Sequence, residues 1–508
     1  MKRANSTDAS TILPNGVHTG PPMEAPKPKR LRSKETDSQE ITEPDLTELF
    51  SENVVAKIWA VASRALSYVC CYISLGMRPL YMIESPADTA SKDEPPTEYP
   101  EYTEPGGTAY CHTPMDFWTS GFFPGILYLL LERLYKYPKK FYSDVHSKNQ
   151  STTLHPLKLK HACAWWSESM HSQAARSDTH DIGFMIQPWA QLSWELDRSE
   201  RAFQCMVTAA NSLASRYDEK VGSLRSWDVC ITKRYKFEDP RKDFLVIIDN
   251  LINLDLLFYV SDHTGDQKFA RIATQHALTT MRTHIRPDNS TFHVVNFEQS
   301  TGDIKARMTN QGYSDDSCWS RGQAWGILGF AKAYHWTRRE EFRDTADRLA
   351  DYFVDHLPSD GVPPWDFLAP DASKPTVYRD TSAAMIAVYG MLLLHQAHAL
   401  QSSYLQSALH ILNGVLETSL APKVHFAPVN SEGGKNVTTN GNSASRSVVT
   451  PARELDGVGT GTGVETILLH ATINNYEYAP RRWADHGLVY ADFYFVKVGN
   501  LLCEMGLA

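Results

Sequence analysis

The chain has 508 residues, of which 42% are hydrophobic, and 50 Lys and Arg against 59 Asp and Glu give a formal net charge of −9. This apolar content is typical of globular proteins and excludes a chain that is disordered throughout. The acidic balance supplies no global positive field for nucleic acid or anionic membranes, so we expect neither as a partner.

The N-terminal 45 residues differ in composition from the rest of the chain. They are rich in Ser, Thr, Pro, Glu and Lys and contain no apolar stretch of the kind found in secretory signals. We therefore predict a disordered tail over 1–45. The basic cluster PKPKRLRSK at 26–34 has the composition of a nuclear import signal, although such runs are usually only solvated. We expect a cytoplasmic protein, with nuclear import as the alternative.

Cysteine usage and hydropathy point in the same direction. The eight cysteines are scattered, with no C-x-x-C pair, and the adjacent Cys70 and Cys71 are poorly placed to bridge each other. We interpret them as reduced core thiols. The most apolar window, 54–76, contains Lys57 and Arg64, which are costly at the centre of a membrane span. The window therefore predicts a buried core helix.

From residue 46 onward, apolar residues recur at helical spacing, with Gly, Pro, Asn or Asp between the runs. The pattern predicts helices near 46–76, 120–137, 157–175, 184–197, 200–217, 243–262, 266–285, 321–337, 340–356, 381–399, 402–417, 463–476 and 488–505. Short links are typical of αα-hairpins, and about a dozen helices in hairpins can close into a toroid. Two segments of loop composition, 86–105 and 430–463, interrupt this single domain over 46–508.

The first candidate site segment is DFWTSGFFPG at 116–125, where glycines and a proline indicate a turn before a helix. Trp118 has a flat face that suits a sugar ring. Aromatic residues also dominate protein cores, so core packing is the alternative role for Trp118.

Two aspartates stand in apolar surroundings. Asp181 lies in THDIGF at 179–184, and Asp249 interrupts the apolar run VIIDNLINL at 246–254. Burying a carboxylate is expensive, so each position needs a reason, and capping or ion pairing is the simplest one. The other is catalysis, because a carboxyl in an apolar pocket or beside a second carboxylate has a raised pKa and can donate a proton near neutral pH.

The densest polar and aromatic segment is TNQGYSDDSCWSRGQAW at 309–325, preceded by His293. Gln311, Arg321 and Trp325 provide an amide, a cationic fork suited to a carboxylate and a stacking surface. Together they outline a site for an acidic sugar. Because Arg321 and Trp325 are four residues apart on one helix, a structural pairing between them is the alternative.

A further segment, PPWDF at 363–367, places Trp365 and Asp366 in a predicted loop as substrate-binding candidates, and Asp380 at a helix N-terminus, where capping explains it. Motifs for other chemistries are missing. The chain has no P-loop, no HExxH, no GxSxG and no zinc-type Cys and His spacing. The glycine-rich run at 457–463 follows no convincing strand. We therefore expect no cofactor and no metal.

The segments THDIGF, IIDNLINL and NQGYSDDSCWSRGQAWGILGF, in this order, closely resemble the unsaturated glucuronyl hydrolases, glycoside hydrolase family 88. Further segments such as FWTSGFFPG and GLVYADFYFVKVGNLL extend the resemblance over roughly 46–508. It implies an all-α fold, an (α/α)6 barrel with the active site at one mouth. The motif WSRGQAW differs from the W-x-R-G-x-G-W typical of unsaturated rhamnogalacturonyl hydrolases on the same barrel, and so favours the glucuronyl branch.

The resemblance also implies residue roles. Asp249 matches the family's acid and base, and Asp181 its second essential aspartate, whereas the pocket residues are matched by Trp118, His293, Gln311, Arg321 and Trp325. The implied reaction hydrates the vinyl ether of a 4,5-unsaturated uronate left by a polysaccharide lyase, which releases that uronate from the non-reducing end of an oligosaccharide.

The chain departs from the family pattern at YADFYF (490–495), at the insertion 430–463 and in its N-terminal extension, which together resemble a eukaryotic, fungal relative. The leaving group therefore stays open. One alternative is an unsaturated galacturonyl or rhamnogalacturonyl hydrolase, or a hydrolase of a glycosylated metabolite, on the same barrel. The other is a non-catalytic sugar-binding toroid, which the presence of both aspartates disfavours. The sequence leaves the oligomeric state open between a monomer and a weak homo-oligomer.

Overall fold

The computed structural model describes residues 45–66, 94–141, 154–374, 376–426 and 463–508. All of them belong to one compact unit that begins at residue 44. The predicted disordered tail, apart from Asp45, and its basic cluster lie outside the described residues. The same holds for Cys70 and Cys71 and for most of the predicted insertions, namely 86–93 and 430–462.

Twelve helices of eleven or more residues occur within the described ranges, and they alternate along the chain between an outer and an inner ring. The outer helices are α1 (Glu52–Ala62), α3 (Pro156–Glu168), α5 (Glu200–Ala214), α7 (Gln267–Thr283), α9 (Glu340–Asp355) and α11 (Tyr404–Thr418). The inner helices are α2 (Phe122–Lys136), α4 (Ile182–Asp197), α6 (Asn250–Thr264), α8 (Ser320–Thr337), α10 (Thr381–Ala397) and α12 (Val489–Glu504).

The inner ring is closed. Each inner helix packs against the next one along the chain, and α12 packs back against α2. This arrangement confirms the predicted (α/α)6 barrel. Burial follows the two rings: α6 is buried without interruption from Asn250 to Ser261, whereas α9 buries one face only. An inner helix is covered on all sides, so its sequence is apolar all round, while an outer helix keeps a polar face for solvent.

The strands lie in connections that lead from an outer helix to the next inner helix. They form the hairpins β1 (Glu98–Thr103) with β2 (Tyr110–Pro114), β3 (Tyr217–Asp218) with β4 (Ser223–Leu224), β5 (Cys230–Ile231) with β6 (Lys236–Phe237) and β10 (Ala471–Asn474) with β11 (Trp483–His486), and one antiparallel sheet of β7 (Phe244–Ile247), β8 (Val294–Phe297) and β9 (Ile304–Met308). The long connections therefore gather at the end of the barrel where the inner helices begin.

Two predicted helices are wrong in part or in whole. The run 243–262 begins as strand β7, paired with β8, and the helix starts only at Asn250. The run 463–476 contains no helix, and its residues 471–474 form β10. The stretches that form strands, 244–247 and 471–474, are short and contain β-branched residues, and periodicity alone does not separate a buried strand from a buried helix over so few residues. The predicted loop at 86–105 likewise contains β1.

Shorter helical turns complete the chain, at Leu46–Phe50, Ser63–Ala65, Pro138–Phe141 and Ser169–Ala175. Asp45 caps the first of them by accepting a hydrogen bond from the backbone nitrogen of Thr47 at 3.0 Å. Within the described ranges, no helix combines the length and the apolar character needed to cross a membrane.

The close approach of α4 and α6 near their first turns requires a glycine. A Cβ on Gly183 would lie 2.8 Å from the Cα of Asn253, whose side chain accepts a hydrogen bond from the backbone nitrogen of Phe184. We expect Gly183→Ala to lower the free energy of unfolding by about 1–3 kcal/mol, because the backbone must move to admit the methyl group. Urea denaturation measures the loss.

Gly326→Ala on α8 is the matched control for this substitution. Its added carbon would meet the movable end of Leu349 at 2.9 Å, with no foreign backbone atom among its nearest neighbours. We expect a smaller loss, since the Leu349 side chain can shift and Ala favours a helix. Equal losses in the two variants would contradict the backbone clash at Gly183.

Candidate active site

The N-termini of the six inner helices meet at one mouth of the barrel. Each outer helix runs back antiparallel to its inner partner, so all inner helices point the same way. A helix N-terminus carries partial positive charge and unpaired backbone N–H groups. The mouth is therefore suited to an anionic ligand, and the candidate residues lie in the first turns of these helices.

Asp249 occupies the N-cap position of α6, directly after β7 and Ile248. Only 8% of the residue is exposed, and its buried Oδ1 atom has no hydrogen-bond partner among the described residues. Burial raises the pKa of Asp249 to about 7, with a contribution from Asp181, against the opposing charges of Arg321 and His180. A carboxyl group in this state can donate a proton near neutral pH.

Asp181 occupies the equivalent N-cap position of α4 but has polar partners. Its Oδ1 lies 3.1 Å from His180 Nε2, and its Oδ2 accepts a hydrogen bond from Thr179 Oγ1 at 2.7 Å. Burial raises the pKa of Asp181, but the charge and hydrogen bond of His180 and the hydroxyl of Thr179 outweigh burial and leave the pKa below its ordinary value. The pKa values of the two aspartates are therefore shifted in opposite directions, upward at Asp249 and downward at Asp181.

His293 adds a neutral donor to this mouth. The backbone nitrogen of Asn310 donates to His293 Nδ1 at 3.1 Å, which assigns the proton of the neutral ring to Nε2. Burial lowers the pKa of His293 to about 3, and Arg321 and His284 lower it further. The buried Nε2 has no partner within the described ranges, so it is a free hydrogen-bond donor.

Arg321 is fully buried between the rings of Trp319 and Tyr490, with its Cζ 4.6 and 5.3 Å from their centroids. Its guanidinium donates to Asp380 Oδ2 at 2.8 Å and to the carbonyl oxygens of Thr472 and Ile473, both at 2.6 Å. The N–H groups of Arg321 that the sequence suggested for a substrate carboxylate therefore donate to acceptors within the protein. Arg321 therefore joins α8 to α10 and β10 and brings its positive charge close to Asp249.

Of the remaining predicted residues, Trp118 and Gln311 contact residues at the mouth, whereas Trp325 lies deeper in the barrel. Trp118 is half-buried, and its ring lies 5.1 Å from that of Tyr490. Gln311 Nε2 donates to the carbonyl of Ile473 at 3.1 Å, next to Arg321. Trp325, one turn further into the barrel, is fully buried against the rings of Phe184 and Tyr494. The structure thus gives Trp325 a core environment, whereas the cation–π contacts described for Arg321 are with Trp319 and Tyr490.

Trp365 and Asp366 lie in a loop, as predicted, but they hold the neighbouring segment 309–317. Asp366 is fully buried and accepts hydrogen bonds from the backbone nitrogens of Tyr313 and Leu368 and from Ser317 Oγ, at 2.6–2.9 Å. Trp365 is 3% exposed and packs in a small cluster of its own. Both residues therefore have structural contacts, and none of the contacts described for them is with Asp181 or Asp249.

Several residues at the mouth were not predicted from the sequence. His180 is buried beside Asp181, Trp227 lies 6.0 Å from His180 between ring centroids, and Tyr490 has a buried hydroxyl without a partner in the described part of the chain. His180 is adjacent to a candidate in sequence, which was the one available signal. Trp227 lies in a segment without a pattern that sets it apart from core aromatics, and Tyr490, the first residue of YADFYF, was not distinguished from the aromatic residues that follow it. No group of three or more His, Cys, Asp or Glu in the described ranges is placed to hold a metal ion.

Comparison with known proteins relates this geometry to an enzyme family. No protein-family model matches the chain. The chain is 34% identical over 299 residues to the unsaturated glucuronyl hydrolase of Formosa agariphila. The aligned residues make up 58% of this chain and 67% of that relative. The chain is also 34% identical over 274 residues to the unsaturated chondroitin disaccharide hydrolase of Streptococcus pneumoniae. Here the aligned residues make up 54% of this chain and 62% of the relative.

The fold agrees with these matches. The crystal structure of an unsaturated glucuronyl hydrolase specific for heparin superposes with a TM-score of 0.64 at 23% identity, covering 91% of this chain and 98% of that one. The relative from Formosa agariphila, matched over two thirds of its length, decides the family. The chain therefore belongs to the unsaturated glucuronyl hydrolases, which are glycosidases.

Proposed function

We propose that this enzyme releases a 4,5-unsaturated uronic acid from the non-reducing end of lyase-generated oligosaccharides by hydrating its vinyl ether double bond. The observation that supports the proposal best is the pair of aspartates at the N-caps of α4 and α6, whose pKa values are shifted in opposite directions. Asp249 has a pKa raised to about 7, and Asp181 has a lowered pKa. Hydration of a double bond needs a carboxylic acid that is still protonated near neutral pH.

The proton of Asp249 would be transferred to C4 of the unsaturated ring, and positive charge would develop at C5, where the ring oxygen shares it. The resulting carboxylate of Asp249 then takes a proton from a water molecule, whose oxygen forms a bond to C5. The product is a hemiketal at C5, which opens by cleavage of the bond between C5 and the ring oxygen and leaves a ketone at C5. C1 then carries a hydroxyl beside the glycosidic oxygen, and this hemiacetal collapses to an aldehyde and frees the remaining sugar as an alcohol. One carboxyl group thus serves first as acid and then as base.

The neighbours of Asp249 have supporting roles in this scheme. Asp181 accepts hydrogen bonds from substrate hydroxyls and, by its negative charge, helps Asp249 to retain its proton. The free Nε2–H of His293 donates to a substrate oxygen without bringing a charge into the site. The inner-helix N-termini and the buried Arg321 attract the uronate carboxylate by their field.

The direct test is ultraviolet absorbance of the conjugated unsaturated uronate during incubation with the purified protein. Hydration removes the double bond, so the absorbance of a chondroitin- or hyaluronan-derived unsaturated disaccharide is expected to decay. Undiminished absorbance with chondroitin-, hyaluronan- and pectin-derived disaccharides, despite measurable binding, would overturn the proposal in favour of a sugar-binding barrel.

The pH dependence of kcat provides a second prediction. Turnover is expected to fall as the pH rises through about 7, because Asp249 loses the proton that it must donate and its pKa is about 7. On the acid side, activity is expected to persist down to below the ordinary carboxyl range, where Asp181 becomes protonated, because its pKa is lowered. A kcat that increases through neutral pH would contradict the assignment of Asp249 as the acid.

For the cellular location we propose the cytoplasm. The described cysteines are free thiols, and unpaired cysteines in and near the core are typical of proteins from reducing compartments.

A further inference from the structure

Strand β1 contains a β-bulge close to the mouth of the barrel. It pairs antiparallel with β2, but Pro100 pairs with His112 and Tyr102 with Cys111, so that Glu101 is an extra residue without a partner across the ladder. A bulge changes the direction of the side chain at its position, and such irregularities are frequent beside active sites. The bulge therefore gives Glu101 a direction that a regular strand would not.

The bulged strand is attached to the chain just before α12. The backbone nitrogen of Thr103 donates to the carbonyl of Gly487 at 3.1 Å, and the nitrogen of Gly487 donates to Thr103 Oγ1 at 2.9 Å. Tyr102 forms an isolated antiparallel bridge with Leu488, the N-cap residue of α12. These contacts place Glu101 beside the first turn of α12.

Glu101 is buried without a partner for its carboxyl group. The residue is only 6% exposed, and within the described ranges nothing forms a hydrogen bond or an ion pair with this side chain. Burial raises the pKa of Glu101 to about 7. An unpaired carboxyl is expensive to bury, so a buried polar group in this state needs an explanation, of which contact with a ligand is one.

The neighbour of Glu101 on α12 is Tyr490, whose ring lies 5.1 Å from that of Trp118 at the mouth. Its hydroxyl is also buried without a partner in the described part of the chain. Burial raises the pKa of Tyr490, and the charges of Glu101 and Asp249 both add to that rise. Glu101 and Asp249 therefore act on the same hydroxyl and belong to one mouth.

The two carboxyl groups lie on opposite sides of this mouth. The inner helices pack in chain order around a closed ring of six, so α12 is the third helix from α6 in either direction. Asp249 is the N-cap residue of α6, and Glu101 lies at the start of α12. In a six-membered sugar ring C1 is opposite C4, so a uronate with C4 at Asp249 turns C1 toward Glu101.

The last stage of the proposed reaction needs a proton donor at C1. The hemiacetal must gain a proton on the oxygen of the leaving sugar and lose one from its own hydroxyl. In this scheme Asp249 serves C4 and C5, and Asp181 has a lowered pKa. Asp380 pairs with Arg321. Glu101 is the carboxyl group described at the mouth that has neither a protein partner nor a role in the hydration step.

Resting on the proposed function, we propose that Glu101 is the acid that expels the leaving sugar from the hemiacetal at C1. Its O–H transfers a proton to the glycosidic oxygen while the bond between C1 and that oxygen breaks. The hydroxyl on C1 transfers its proton to the other oxygen of the same carboxyl group, and its electron pair completes the C=O bond of the aldehyde. The carboxyl group ends protonated, as it began, so no co-reactant is consumed.

The test follows the two stages separately in single turnovers with enzyme in excess. The substrates are the methyl and the 4-nitrophenyl glycosides of 4,5-unsaturated glucuronate, the first of them labelled with carbon-13 at C1. Decay of the ultraviolet absorbance reports hydration of the double bond. The carbon-13 signal of C1 reports collapse of the methyl hemiacetal, and the absorbance of nitrophenolate reports collapse of the other.

Glu101→Gln is expected to hydrate both substrates within about twofold of the parent rate and to slow collapse of the methyl hemiacetal at least about tenfold, because methanol needs a proton in order to leave. Release of nitrophenolate should keep pace with hydration, since this group leaves without protonation. The variant should fold, because Gln matches Glu in shape and no contact of the carboxyl group is lost.

Two further variants distinguish a catalytic role from a structural one. Glu98→Gln, at an exposed position on the same strand, should change neither stage. Glu101→Ala should show the same slow collapse as Glu101→Gln, and added formate is expected to restore the collapse rate without changing hydration. A purely structural role of Glu101 would not respond to formate.

The outcomes separate this role from the proposed function. Collapse of the methyl hemiacetal that keeps pace with hydration in Glu101→Gln would overturn the role of Glu101 and leave the proposed function standing. A parent enzyme whose collapse already lags behind hydration, or a variant that loses both stages equally, would do the same. No hydration of either substrate by the parent would overturn the proposed function, and the role of Glu101 with it.

Discussion

Asp249→Asn is expected to lower kcat at least about 10³-fold, because one carboxyl group supplies both the proton for C4 and the base for the attacking water. An amide can do neither. The variant should fold, since Asn is a good N-cap residue and matches the carboxylic acid in shape. Its Oδ1 has no hydrogen-bond partner within the described ranges, so no protein contact of that atom is lost. Absorbance decay measures the turnover, and thermal unfolding measures the stability.

Asp366→Asn is the matched control for Asp249→Asn. Asp366 is also a buried aspartate whose pKa burial raises, but both of its oxygens accept hydrogen bonds from the protein. Its amide would put two N–H donors where at least one oxygen now accepts, so we expect loss of stability by about 1–3 kcal/mol without loss of the acid function. Near-parent turnover by a folded Asp249→Asn variant would contradict the proposed mechanism.

The helical architecture could be predicted from the sequence because long helices repeat their apolar residues over several turns. Periodicity is ambiguous over short stretches, and the prediction failed where longer predicted helices contained such stretches, at 244–247 and 471–474. The segment before Asp249 is uniformly apolar, so the strand β7 was indistinguishable from the start of α6. This error affects the site, because β7 ends at Ile247 and α6 begins at Asn250, and Asp249 lies at the mouth between them.

The candidate site could be predicted only where chemistry conflicted with surroundings. Asp181 and Asp249 were identifiable because carboxylates are expensive in apolar segments. The type of a residue did not show how deep its side chain lies in the barrel. Arg321 and Trp325 share one face of α8, but Arg321 lies in its first turn at the mouth and Trp325 lies one turn deeper among core aromatics. The partners of Arg321 come from distant segments, which a single sequence cannot pair.

Arg321→Ala is expected to lower the free energy of unfolding by about 3–5 kcal/mol, because it leaves the fully buried Asp380 without its counter-ion. The carbonyls of Thr472 and Ile473 would lose their donors at the same time. Arg201→Ala is the matched control. The Arg201–Glu168 pair has two contacts of 2.6 and 2.8 Å, but the two side chains are 60% and 44% exposed, so we expect a loss within about 1 kcal/mol. Equal losses in urea denaturation would contradict a structural role for Arg321.

The same substitution is expected to move the pH profile of any activity that remains. The charge of Arg321 lowers the pKa of Asp249, against the larger effect of burial. Without that charge the pKa of Asp249 rises further, so the alkaline fall in kcat should move to higher pH in Arg321→Ala and stay in place in Arg201→Ala. A purely structural defect would reduce kcat at every pH without moving the fall. The direction of this movement therefore separates the electrostatic contribution of Arg321 from its contribution to the fold.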